Sequence, residues 1–203
     1  MHAHTAPSAP CPALQLQRNT RRCWQLLLEW ASLAPLLEPD LIARCTRVDA
    51  ERKLSRSFFR WKTAVRRNHE ATLRWAAAAL SERLFRADPS GDLLTKAVAA
   101  AESRLSESRE AKDHRHLFAL HRAFADYRSE RSRLVARYAP VVAQVVAESQ
   151  VPLQDFEDSL HDAIVRLASA PAAYRADRSA SFEAFVRQRF GQELSARPGE
   201  SAA

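Results

Sequence analysis

The sequence predicts an all-α protein, a multi-helix bundle built from long amphipathic helices, and three observations predict it. Only three glycines occur in 203 residues, too few for a sheet of hairpins whose tight turns need left-handed backbone. Ala, Leu, Arg and Glu, all good helix formers, dominate the composition. Apolar residues recur at spacings of three and four along most of the chain, the period of a helix face. Hydrophobic content of 46% against 27% charged is ordinary for a chain that folds around a buried core.

Residues 1–17 are rich in Pro, Ala and Ser and are expected to be a disordered tail. A short helix is expected from about Asn19, carrying Trp24, Leu27, Leu28 and Trp30, with Pro35 and Pro39 stopping it. From Leu41 the helical period continues through Phe58, Trp61, Val65, Leu73, Leu80 and Leu84 until "ADPSGD" interrupts it, and the period alone does not separate one helix from two. Leu94, Val98, Ala101 and Leu105 mark a further amphipathic helix.

The cleanest periodicity comes next. Leu117, Leu120, Phe124, Tyr127, Arg131, Leu134, Tyr138, Val141, Val145 and Glu148 alternate steps of three and four, a heptad seam that packs lengthwise on another helix. That helix is supplied within the fold or by a dimer partner meeting Leu117, Leu120, Phe124, Tyr127 and Leu134. Pro140 should kink or restart the seam helix. The last helices are expected at 153–168 and 181–196, with Pro198 closing the second. The expected organisation is a tail at 1–17, a basic helical region at 18–112, a second helical module at 113–196 and a tail at 197–203.

Charge is uneven. Between Leu41 and Ser90 twelve basic side chains stand against five acidic ones, which accounts for the whole net charge of +7. From Tyr138 onward the balance reverses, six arginines against nine carboxylates. Opposite charge in two regions suggests two kinds of partner, against the plainer reading of solvated helix faces. Cys11, Cys23 and Cys45 are odd in number and lack CxxC spacing, which fits a reducing, cytoplasmic setting and neither a disulfide framework nor a zinc site. No signal sequence and no apolar run of about 20 residues is present, so no membrane insertion is expected.

Catalytic motifs are missing: there is no Gly-rich phosphate loop, no GxSxG and no HExxH. His114, His116 and His121 read as surface histidines, since only 114 and 121 share a helix face. Asp155, Asp158 and Asp162 fall at i, i+3 and i+7, three carboxylates on one face. They suit Mg²⁺ or acid–base work in principle, but nothing beside them completes such a site. No enzyme, metal or cofactor is therefore expected. The same face, with His161 and Arg166 near it and Phe156, Leu160, Ala163, Ile164 and Leu167 opposite, suits docking on a basic partner. In the last helix Phe182, Phe185, Val186 and Phe190 are interleaved with Arg187 and Arg189, after Arg175 and Arg178 in the loop. Such mixtures stack on bases and meet phosphates, whereas helical spacing by itself reads Phe182 and Phe185 as core.

Taken in order, "RYAPVVAQVVAES", "DFEDSLHDAIVRLA" and "YRADRSASFEAFVRQRF" resemble the second conserved region of bacterial RNA polymerase sigma factors, over about residues 134–196. Tyr138, Pro140, Val141 and Val142 match a Tyr-x-Pro-apolar-Val helix start. Asp155, Glu157, Asp158, Asp162, Ile164, Val165 and Arg166 match the acidic helix, with His161 at its usual glutamine. Tyr174, Asp177, Ser181, Phe182, Glu183 and Phe185 match the aromatic-x-x-Asp loop and the Ser-Phe-Glu-x-aromatic start that follows it, and Arg189 with Phe190 echo the family's Arg-Ile. The resemblance implies docking on the β′ subunit of RNA polymerase through Asp155, Asp158, His161, Asp162 and Arg166. It implies DNA contact by Arg175, Arg178, Phe182, Phe185, Arg187 and Arg189. The loop before Ser181 is a few residues longer than the family's, and the family's helix-turn-helix domain does not follow "SARPGESAA", so the expectation is a divergent or truncated sigma-like transcription factor. The alternative is a non-catalytic helical adaptor in a multiprotein assembly, held by the heptad seam and without a nucleic-acid role.

Overall fold

The computed structural model describes residues 11–30, 33–47, 52–106, 108, 110–149, 151–179 and 181–195, without the side chains of 42–47, 52, 53 and 106. Cys45, Arg44, Arg47, Arg52 and Lys53 therefore lie outside the described side chains, and the expected tails at 1–10 and 197–203 lie outside the described residues. The described residues form α1 (Pro12–Glu29), α2 (Ala34–Arg47), α3 (Arg52–Arg67), α4 (Glu70–Ala87), α5 (Asp92–Ser106), α6 (Ala111–Glu148), α7 (Phe156–Leu167) and α8 (Phe182–Ser195), with no strand among them. This is the all-α architecture that the periodicity predicts. No described helix is long and apolar enough to cross a membrane.

The chain divides into two compact units, one of residues 17–129 and one of residues 1–16 with 130–203. The division falls inside α6, at Glu130, whereas the sequence reading places it at 113, in the first turn of that helix. Residues 12–17, expected in the tail, are helical from Pro12, the first position of α1, where a missing N–H costs nothing.

Within the 17–129 unit the core is aromatic and aliphatic: Trp24, Leu27 and Leu28 of α1, Phe58 and Trp61 of α3, Leu73, Leu80 and Leu84 of α4, and Leu94, Val98, Ala101 and Leu105 of α5 are all buried. Polar handles fix the helices across this core. The Trp61 indole donates to the Leu28 carbonyl at 2.9 Å, and the Arg21 guanidinium pairs with Glu82 at 2.7 Å while lying over the Phe85 ring. His116 is not a free surface histidine. Its Nε2 donates to the Leu26 carbonyl at 2.9 Å, its ring packs on Trp30, and the Trp30 indole donates to Asp113 at 3.2 Å. His121 pairs with Glu102 at 3.0 Å.

Breaks between helices have local causes. Asn68 takes left-handed backbone at φ 49, a conformation Asn tolerates better than most residues, and His69 then caps α4 by accepting from the Thr72 amide. Thus the long pattern after Leu41 is three helices. In "ADPSGD", Gly91 supplies φ 76, while buried Asp88 accepts the amides of Leu93 and Leu94 at 3.2 and 2.9 Å, capping α5. Pro35 and Pro39 do not stop a helix: both lie in α2, Pro39 in its interior. Each is solvent-exposed, so the Pro35 carbonyl that loses its partner at Pro39 faces water. Pro140 likewise sits inside an unbroken α6, and Ala136, whose carbonyl it leaves unpaired, is exposed.

The α6 seam is mostly covered within the chain. Leu120, Tyr127, Leu134, Tyr138 and Val145 are buried, Leu117, Phe124, Arg131 and Val141 are half-buried, and Glu148 is exposed. Buried Leu120, Tyr127 and Leu134 leave little of the seam for a dimer partner.

Two outcomes follow for this unit. Asp88→Ala should cost about 1–2 kcal/mol of stability in urea unfolding, with Asp88→Asn retaining part of it. Burial, and next the Asp126 carboxylate, push the Cys23 thiol from 9.0 up to about 12. The folded state then keeps a proton that the unfolded chain loses, so this contribution is complete below pH 9.0 and is lost as pH rises toward 12. Relative to Cys23→Ala, the wild type should lose stability on going from about pH 8 to about pH 11, at no more than about 1.4 kcal/mol per pH unit.

Candidate functional site

In the 130–203 unit, the residues that the sigma resemblance selects fall into three groups by exposure. α7 buries Ser159, Ala163 and Leu167 and half-buries Phe156, Leu160 and Ile164, the apolar side that sequence expects to face the core. Its other side presents Asp158, His161, Asp162 and Val165, four positions that a 3.6-residue period gathers into one stripe. Asp155, at the end of the 3₁₀ turn Leu153–Asp155, and Arg166 flank it, and both are exposed. All five expected docking residues are therefore brought to one surface.

Their electrostatics differ. Arg166 pairs with Asp162 at 3.0 Å and reaches Glu193 of α8 at 3.6 Å, so this end of the stripe is partly neutralised inside the unit. Asp155, Glu157 and Asp158 have no ion pair or side-chain hydrogen bond to a described residue and leave a local excess of negative charge. All three lie at the start of α7. Two exposed apolar residues border the acids: Leu153, 91% exposed, and Val165. Sequence reading did not single them out as exposed; Val165 falls beside Ile164 and off its three–four rhythm, which is the signal that was available.

The second group is closed off. Phe182 is 2% exposed and sits edge-on to Tyr138 of α6 at 4.9 Å and to Tyr174 at 5.1 Å. Its ring is core, and no base can stack on it without unfolding this cluster. Phe185 is half-buried against Phe182 and Tyr174 at 5.8 and 5.5 Å. Ser181 accepts the Ala184 amide at 3.0 Å and so caps α8, while Glu183 pairs with Arg187 at 3.2 Å. The Ser-Phe-Glu segment thus supplies a helix cap, a core ring and an ion pair.

The third group is the arginines. Arg187 is held by Glu183 and by Gln144 of α6 at 2.9 Å, and Arg189 is held by Glu193 at 2.9 Å. Arg175 and Arg178 are exposed in the loop before α8 and carry no side-chain hydrogen bond or ion pair to a described residue. Of the six expected nucleic-acid residues, these two present free guanidinium groups. Among the described residues no group of three His, Cys, Asp or Glu converges as a metal site.

Compared with known proteins, this chain matches no family model, no curated protein and no solved structure.

Phe182→Ala should lower stability by about 3–5 kcal/mol, the usual cost of deleting a core ring. Arg175→Ala/Arg178→Ala should stay within about 0.5 kcal/mol of wild type, because both residues are exposed and neither side chain makes a hydrogen bond or ion pair to a described residue. Urea unfolding of both variants checks this.

Proposed function

We propose that this protein is a sigma-like, non-catalytic transcription factor that docks on RNA polymerase through the acidic stripe of α7. The observation that carries the reading is the exposed charge at the start of that helix: Asp155, Glu157 and Asp158 are exposed and make no ion pair with a described residue. Side chains arranged in this way make no ion pair with a described residue of the unit, and they suit a basic partner helix by speeding encounter and fixing register. Leu153 and Val165 are exposed apolar residues beside the acids, whose burial in a contact would be favourable. The ordered likeness of residues 134–196 to the second sigma region is the support for core RNA polymerase as the partner, with its β′ subunit as the surface met. DNA contact on this reading falls to Arg175 and Arg178, with Arg187 and Arg189 reaching phosphate only by leaving their glutamates.

The test is a pull-down of purified core RNA polymerase by the full chain. Wild type should retain the polymerase, and Asp158→Arg/Asp162→Arg should release it at a salt concentration that wild type withstands. Since both positions are exposed, the variant should keep its helical circular dichroism. Retention of polymerase by that folded variant, or failure of wild type to bind at low salt, would remove the docking reading.

A further inference from the structure

A second surface lies in the other unit, on the α3–α4 hairpin. α3, "RKLSRSFFRWKTAVRR", has no acidic residue. Its apolar side, Leu54, Phe58, Trp61 and Ala64, is buried, while Arg56, Phe59, Arg60, Thr63 and Arg67 fall on one exposed stripe. Phe59 is 66% exposed, and Trp75, across the hairpin on α4, is 58% exposed. The Arg60 guanidinium lies 5.8 Å from the centre of the Trp75 ring, which places the two helices' exposed residues on a common face.

Two features of this face are unfavourable to the isolated protein. Arg56 and Arg60 are like charges one turn apart, a spacing that destabilises a helix, and Arg56, Arg60, Arg66 and Arg67 have no carboxylate partner among the described residues. Lys62 and Arg74, by contrast, are paired with Glu38 and Glu70. Two large rings are also left in water beside those cations, although the same unit buries its other three tryptophans, Trp24, Trp30 and Trp61. An anionic ligand would relieve the repulsion, and flat apolar surface on that ligand would cover the rings. A duplex offers phosphates but hides its base faces. An acidic protein offers carboxylates but has no need of exposed rings.

We propose that the outer face of the α3–α4 hairpin binds single-stranded nucleic acid, with unpaired bases stacking on Trp75 and Phe59 and phosphates meeting Arg56, Arg60 and Arg67. Stacking on aromatic side chains between arginines tolerates any base sequence. The surface is independent of α7, so it stands or falls without the polymerase reading.

The full chain, without polymerase, is titrated with oligothymidylate, with oligouridylate and with duplex DNA of the same length, reading oligonucleotide anisotropy and tryptophan fluorescence. Trp75 is the exposed indole, so single strands should quench the accessible part of the emission. Trp75→Ala should weaken single-strand binding by roughly 5- to 150-fold, and Phe59→Ala should act in the same direction. Arg56→Gln/Arg60→Gln/Arg67→Gln should flatten the salt dependence by about 0.7 in log–log slope for each phosphate that the variant no longer neutralises. Preference for the deoxy or the ribo strand identifies which single strand is taken, and either supports the proposal. Duplex binding as tight as single-strand binding overturns it. So does an affinity unchanged in a folded Trp75→Ala/Phe59→Ala double variant, or no binding of any strand at low salt.

Discussion

The apolar side of α6 has to be covered along nearly its whole length, and each of the two units buries its own share of it. A 38-residue helix is far longer than isolated helices that persist in water through propensity alone, so burial of Leu120, Ala123, Tyr127, Leu134, Tyr138, Val142 and Val146 holds it together. Those residues serve two units in turn. Leu120, Ala123 and Tyr127 belong to the unit of residues 17–129, and Leu134 onward belongs to the unit that carries α7 and α8. Because the seam is consumed internally, faces for partners must be sought elsewhere.

In the C-terminal unit this shows most directly at Tyr138. Its ring continues the α6 seam and meets Phe182 of α8, which in turn meets Tyr174 of the preceding loop. One aromatic cluster therefore ties helix, loop and helix together. Glu193 adds a polar tie, joining Arg166 of α7 to Arg189 of α8. With α8 fixed from both sides, its aromatic and arginine residues are largely spent on structure, whereas Asp155, Glu157 and Asp158 at the start of α7 are exposed and make no ion pair with a described residue. A mixed aromatic–arginine helix and an acidic helix look equally functional in sequence, but packing gives them different work.

Much of this was legible from residue order. The seam, the α5 face, the bounds of α7 and α8 and the gathering of Asp155, Asp158, His161, Asp162 and Arg166 on one side all follow from a 3.6-residue period, which local sequence specifies. What sequence did not show depends on contacts between distant residues or on solvent. Pro35 is tolerated because it lies in the first turn of α2, where its missing N–H has no helical partner, and Pro39 and Pro140 because they lie at exposed positions, which a helix breaker rule does not record. His116 is tied to Leu26 and Trp30, ninety residues away or nearly so in the chain, and no local pattern marks that pairing. Phe182 was readable as core from spacing, and the sigma likeness drew it toward DNA; burial returns it to the core. Phe59 and Trp75 lie one and two positions from the stripe residues Phe58 and Leu73, and only the fold separates the side chain that packs from the ring that does not.

Docking of α7 on core RNA polymerase, as proposed above, is tested most directly by site-specific photocrosslinking from that helix. A photoreactive phenylalanine analogue placed at Asp158 of the full chain, illuminated with purified core RNA polymerase, should give one dominant adduct on the β′ subunit. The same analogue at exposed Phe118, in the other unit, should give none there. No adduct from position 158, or adducts spread over the polymerase subunits to the same extent from both positions, would contradict the account.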